Sequence, residues 1–183
     1  GKHIADDGTE TQISKTVDFN VDWYGSVTAS ISNYTGTQNI EEITDENKEN
    51  ITLNFSVTTR ETTDDLILKK AVLEGNIPTV NGYKPTSVEL TSSDVNFEYD
   101  EETGNFTITR EASINEAGIV TKTVSDYNTF NFKVTYPYEL YESLTGDTLS
   151  LIVPVKAYYE GFNNPNDEFQ NPIQSNIAER NIT

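Results

Sequence analysis

Apolar residues recur at every second position through most of this chain, and only an extended strand gathers that period onto one face. Phe130, Phe132, Val134 and Tyr136 form one such face, and Leu149, Leu151, Val153, Val155, Ala157 and Tyr159 form the longest. Ile51, Leu53, Phe55 and Val57 give a third. Val88 with Leu90, Val95 with Phe97 and Tyr99, and Phe106 with Ile108 give shorter ones. Near the start, Ile13, Val17, Phe19, Val21 and Trp23 share a face that Val27, Ala29 and Ile31 continue beyond a turn at Tyr24, Gly25 and Ser26. A strand with one apolar face must be covered by another layer, so this many short strands imply two sheets packed together.

The punctuation agrees. In YDEETGNFTI, an acidic turn with Gly104 joins two alternating runs, and the tight position calls for a positive φ that glycine supplies cheaply. Pro137 and Pro154 favour edges or bulges, because proline brings no N–H to a ladder. The stretch TTDDLILKKAVLEG reads two ways: Leu66, Lys69, Lys70 and Leu73 fit a short helix near 64–74 after a Thr or Asp cap, while Leu66 and Leu68 also fit a strand. The expectation is an all-β chain: a loose tail over 1–12 and one Ig-like antiparallel β-sandwich over 13–183.

Composition narrows the functions. With 183 residues and a net charge of −18, the chain repels nucleic acid and anionic membrane surfaces, which need clustered Lys and Arg. Thr and Asn make up about a quarter of the residues, in keeping with strands joined by polar turns. Cysteine is absent, which removes disulfides, thiolate nucleophiles and thiolate metal sites and leans toward a bacterial exported protein. The polar opening GKHIADDGTETQ has no apolar signal region, and the lack of methionine reads as a piece cut from a longer chain.

No catalytic constellation emerges. His3 is the only histidine and falls in the tail, so a Ser-His-Asp arrangement has no base. Asp64 with Asp65, Asp100 with Glu101 and Glu102, and Asp167 with Glu168 could bring carboxylates to a structural calcium, but none shows the regular spacing of a calcium loop, and solvated turns explain them as well. No other cofactor or metal is expected. Among ten tyrosines, Tyr138, Tyr141 and Tyr158 are expected to be exposed and could form a stacking platform for a sugar, whereas Tyr136 and Tyr159 lie on apolar faces. Glycosylation sequons begin at Asn33, Asn50, Asn54, Asn105 and Asn181, as chance supplies in a chain so rich in Asn and Thr.

The YDEETGNFTI hairpin, the FNFKVTYP strand and the closing SNIAERNIT resemble the conserved repeat domain of bacterial surface proteins known as domain of unknown function eleven, best over residues 87–183. The resemblance implies an Ig-like sandwich arranged in tandem on an exported, wall-attached protein; related adhesin domains that bind collagen or fibrinogen remain an alternative. It implies a location and a mechanical role, and supplies no ligand.

One residue interrupts the pattern: Lys15 falls on the apolar face of the first strand. A lysine there snorkels to water, pairs with a carboxylate or loses its proton. In sandwich domains of adhesins and pilins a fourth fate is an isopeptide bond, in which the lysine nitrogen attacks an asparagine side-chain carbonyl and ammonia leaves, assisted by a protonated acid. Here the parts would be Lys15, Asn176 on the inward side of the last strand, and Glu61 continuing the face of Ile51 to Val57. The sequence thus points to a non-enzymatic stalk or repeat module of a bacterial cell-surface protein. The alternative is a glycan- or host-protein-binding module of a secreted protein or glycan hydrolase. Its expected partners are neighbouring domains of the same chain.

Overall fold

The computed structural model describes residues 2–4, 10–12, 29–37, 50–62, 67–145, 149, 151–162 and 173–182. In chain order the strands are β1 (Lys2–Ile4), β2 (Glu10–Gln12), β3 (Ala29–Thr37), β4 (Ile51–Glu61), β5 (Ile67–Asn76), β6 (Ser87–Leu90), β7 (Asn96–Tyr99) and β8 (Asn105–Glu111). They continue with β9 (Ser113–Ile114), β10 (Val120–Lys122), β11 (Tyr127–Tyr136), β12 (Val153–Phe162), β13 (Ile173–Gln174) and β14 (Ala178–Ile182). Of the two large sheets, one has the order β3-β4-β11-β6 and the other runs β13-β12-β5-β8-β7, with β14 also paired to β12; β1 with β2 and β9 with β10 form two-stranded ladders of their own. Every pairing among the described residues is antiparallel. The chain is therefore an antiparallel β-sandwich.

The alternating faces become the interior. Phe130, Phe132, Val134 and Tyr136 of β11 are all buried, and so are Ile51, Phe55 and Val57 of β4 beside them. From the second sheet come Ala71, Leu73, Phe106, Ile108, Val153, Val155, Ala157 and Tyr159. Phe132 sits at the middle: its ring stacks on Phe55 at 4.9 Å within its own sheet and leans on Phe106 of the other at 5.1 Å. Leu149 and Leu151 precede β12 and are only partly buried against the core.

Residues 67–76 form a strand, which decides between the helix and strand readings of the 64–74 stretch in favour of the strand. β5 lies between β12 and β8, so its backbone bonds to neighbours on both sides. Ala71 and Leu73 face the core, while Val72, pointing the other way, is also covered, at 3% exposure. A strand buried on both faces loses its alternation, and Ala-Val-Leu then looks helical. A helical turn does form at α1 (Tyr138–Glu142), just after Pro137, where its buried Leu140 meets the core.

The opening twelve residues, read as a loose tail, contain a ladder of their own between β1 and β2. The expected strand from Ile13 and its turn at Tyr24 to Ser26 lie outside the described residues, apart from Ala29 and Ile31 on β3.

Gly104 adopts the positive φ that its hairpin demanded, at +77°. A Cβ there would also run into the Ile77 carbonyl oxygen, and the same turn is tied down by Ile77 N–H donating to the Gly104 oxygen. Gly104→Ala is expected to cost about 1–3 kcal/mol in urea unfolding, whereas Gly118→Ala, also at positive φ but with open space around it, is expected to cost less. Equal losses would show that conformation alone, and not crowding, sets the penalty at Gly104.

Candidate functional site

The apolar faces end in polar residues, and those residues meet inside. On β4 and β11, Thr59 and Asn128 are direct cross-strand partners. On the facing sheet, Tyr159 and Arg110 flank Ala71 from either side, since Tyr159 is registered with Ala71 and Ala71 with Arg110. The small Ala71 side chain separates the two large ones. Thr59 and Tyr159 are both 0% exposed and Asn128 is 1% exposed.

Four hydrogen-bonding side chains then span the gap between sheets. The Thr59 and Tyr159 hydroxyls lie 2.7 Å apart. Asn128 Nδ2 donates to the Tyr159 hydroxyl at 3.1 Å and to the Ser125 oxygen at 2.6 Å. Arg110 Nη1 donates to Asn128 Oδ1 at 3.0 Å, and its guanidinium carbon lies 5.6 Å from the centre of the Phe130 ring on the opposite sheet. Buried polar groups are costly unless bonded, and here the bonds run from one layer to the other. The Tyr159 main chain is held as well: its N–H donates to Ser175 Oγ at 2.8 Å, and its oxygen accepts from Ser175 N–H.

Glu61 stands at the same end. It is 1% exposed, as the extended face of β4 implied; its Oε1 accepts from Thr62 N–H at 2.8 Å, and its own N–H donates to the Asp126 oxygen. Burial pushes the Tyr159 phenol above its ordinary value; the bonds with Thr59 and Asn128 oppose that rise, while the carboxylates of Glu61 and Asp126 add to it.

The other residues singled out from sequence are not brought together. Lys15 lies outside the described residues. Asn176 is exposed, against the inward position expected of it, because Ser175 is the residue that turns in toward Tyr159; a slip of one residue exchanges the faces of a strand. Tyr138 is buried at 6% exposure, correcting its expected exposure: α1 folds it onto the core, and its ring tilts against half-buried Tyr141 at 5.7 Å. Tyr158 is half-buried on the outer face, where its hydroxyl donates to Glu74 Oε1 at 3.0 Å, and burial first, then Glu74, pushes its phenol up to about 12.

Of the acidic clusters, Asp64 with Asp65 and Asp167 with Glu168 lie outside the described residues. Asp100 caps its own turn, its carboxylate accepting from the Glu102 N–H at 2.8 Å and from the Thr103 hydroxyl at 2.7 Å. Those bonds hold its carboxyl below the ordinary range. Among the described residues no group of three or more His, Asp or Glu could hold a metal ion.

Arg110, Asn128 and Thr59 were missed in the sequence, although a signal was present. Each continues an apolar face by one step of two: Arg110 after Phe106 and Ile108, Asn128 before Phe130, and Thr59 after Val57. Reading only the apolar members stopped the β8 and β11 faces short of Arg110 and Asn128, and on β4 it passed over Thr59 on the way to Glu61.

No family model matches the chain, and no curated protein matches it. Among solved structures, the cohesin module of a family 33 glycoside hydrolase from Clostridium perfringens is similar over 87% of this chain and 96% of its own, at 8% identity and a TM-score of 0.43. The third cohesin ScaC of Acetivibrio cellulolyticus, in complex with the ScaB dockerin, is similar over 74% of this chain and 90% of its own, at 16% identity and a TM-score of 0.31. The T6 backbone pilin of Streptococcus pyogenes serotype M6, a modular three-domain structure, is similar over 86% of this chain and 35% of its own, at 17% identity and a TM-score of 0.25. At these scores the three are likenesses in outline and assign the chain no activity.

Two measurements probe the tie between the sheets. Thr59→Val and Tyr159→Phe are each expected to cost about 1–3 kcal/mol in denaturant unfolding. The double variant should lose less than the sum, since both singles remove one shared bond; strict additivity would mean that the hydroxyls act separately. The raised Tyr159 phenol also fixes a sign. Its stabilising effect is complete below the unfolded value near pH 10 and is lost as pH climbs through the higher folded value. The melting temperature should therefore fall above about pH 10, and less steeply in Tyr159→Phe; parallel curves for the two proteins would remove Tyr159 from the alkaline transition.

Proposed function

We propose that the chain is a non-enzymatic structural and adhesive domain of a bacterial cell-surface or secreted protein, working as a stalk or repeat module. The observation that carries this reading is the tie between the sheets. The polar side chains of the interior near Tyr159 are engaged in holding one layer to the other. In a cysteine-free chain that contact takes the place a disulfide would fill.

The resemblance to the domain-eleven repeat supports the same role, with neighbouring domains of the same chain as the first partners. No helix among the described residues is long and apolar enough to cross a membrane. With a net charge of −18, the surface favours proteins and glycans over nucleic acid as partners. Module function of this kind needs no cofactor. The Lys15, Asn176 and Glu61 crosslink stays a secondary proposal, and the intact mass of the purified chain tests it: a deficit of one ammonia mapped to Lys15 would establish it.

The mechanical reading is tested by force. Pulled at one loading rate, the native chain is expected to unfold at higher force than Thr59→Val, a substitution that keeps the side chain's shape and removes only its hydroxyl. Equal unfolding forces would mean that the tie bears no load, and the stalk reading would lose its main support.

A further inference from the structure

Between β5 and β6 the chain turns back on itself at the only Asn-Gly step in the sequence, Asn81 and Gly82. Val80 N–H donates to the Tyr83 oxygen at 2.9 Å and Tyr83 N–H to the Val80 oxygen at 2.8 Å, and the two residues between them have positive φ, +47° at Asn81 and +85° at Gly82. This is the two-residue turn for which Asn-Gly is the preferred pair. Its stem is fixed: Val80 and Tyr83 pack against the core, and the Tyr136 hydroxyl donates to the Pro78 oxygen at 2.7 Å. Its tip is open. Asn81 and Gly82 are exposed, and beyond its chain neighbours nothing lies within 4 Å of where a Cβ on Gly82 would stand.

One contact restrains the tip. Asn81 Nδ2 donates to Ser143 Oγ at 3.2 Å, and the Ser143 hydroxyl donates in turn to the Leu140 oxygen at 2.7 Å, at the end of α1. The side-chain amide is thereby tied to α1. The Gly82 N–H, in contrast, has no acceptor among the described residues. A main-chain nitrogen in that position is one bond too far from its neighbour's Cγ only as long as the amide is held elsewhere, and glycine has no Cβ to block the approach.

We propose that Asn81 is a self-modification site, converted through a cyclic imide to aspartyl and isoaspartyl residues at a rate governed by its bond to Ser143. Hydroxide takes the Gly82 amide proton, and the nitrogen attacks Asn81 Cγ. The bond from Cγ to Nδ2 breaks, and Nδ2 takes a proton from water and leaves as ammonia. Water then adds to one of the two imide carbonyl carbons: release of nitrogen from Cγ gives aspartate, and release from the main-chain carbonyl carbon routes the chain through the side chain and gives isoaspartate. Ring closure requires the amide to leave Ser143 and the turn to open, so the folded turn is a brake. Either product adds a negative charge to a chain already at −18 and lacks the Nδ2 donor. Its contact with Ser143 then survives only if that hydroxyl gives up the Leu140 oxygen. The isoaspartyl product also lengthens the main chain inside a two-residue turn, which frees the hairpin tip from α1 while the Pro78 anchor stays in place. The site goes beyond the proposed function and does not depend on it.

The test is a time course of the intact chain at mildly alkaline pH, folded and in urea, with peptide mapping by a fragmentation that tells isoaspartate from aspartate. Isoaspartate is expected at residue 81 and should accumulate faster as pH rises. Folded Ser143→Ala should form it about threefold or more faster than the folded native chain, as loss of one exposed hydrogen bond allows. Ser143→Thr, which keeps the hydroxyl, should stay near the native rate, and all three proteins should converge in urea, where the contact is gone. The proposal is overturned if residue 81 stays asparagine, if aspartate forms there without isoaspartate, if folded Ser143→Ala reacts no faster than the native chain, or if its advantage persists in urea. Mapping also keeps the imide apart from a Lys15 crosslink, which loses ammonia as well but joins two peptides. None of these results would touch the force measurement, so the turn can fail the test while the stalk reading stands.

Discussion

Everything in this sandwich depends on Phe132 being covered from two directions. Its ring stacks on Phe55 along the sheet and meets Phe106 across the interior, and the buried faces of β4, β11, β5, β8 and β12 extend outward from that contact. With no cysteine to staple the layers, apolar burial supplies most of the holding force, at about 25 cal/mol per Å² removed from water. That force has no direction. It brings two greasy faces together without fixing the angle or offset at which they meet.

The polar end of the interior supplies the direction. Tyr159 can reach Thr59 and Asn128 together, and Arg110 can reach Asn128 over the Phe130 ring, in only a narrow range of sheet positions. A misaligned sandwich would bury these groups without partners, at a cost of about 1–3 kcal/mol each. The tie therefore acts against wrong alignments more than for the right one, which is how a satisfied internal network specifies a single structure. Ala71 belongs to the same device, since a larger side chain between Tyr159 and Arg110 would push them apart.

Which parts of this were legible follows from what alternation can encode. A strand with one covered face writes its pattern into the sequence, so β4, β8 and β11 were readable, along with the glycine turn at Gly104. β5 was left between helix and strand, because Ala71, Val72 and Leu73 are covered on both sides of a central strand and the period of two disappears. The helical turn at Tyr138 was hidden for another reason: five residues after a proline are too few to show a period, and its aromatic residues read as exposed strand. For the site, Glu61 was found by extending a face past its last apolar member. Thr59, Asn128 and Arg110 would have been found by the same step.

The two ends of the sandwich follow from one rule about where strands stop agreeing. At the Ala71 end, the inward positions stay inward after the apolar residues run out, so polar side chains are forced to pair across the gap and the ends of the layers are locked. At the Gly75 end, it is the ladder that fails first. β5 keeps β8, β12 keeps β14, and the outer-face positions beside the fork are left as two facing walls. Gly75 lets β5 pass close over the buried Phe106 ring at the fork: a Cβ there would collide with that ring and crowd the Pro154 oxygen at 3.0 Å. The rigid end thus anchors the strands whose divergence shapes the open one. The ladders that persist on either side of the fork hold Asn76 against Asn105 and Lys156 against Glu179.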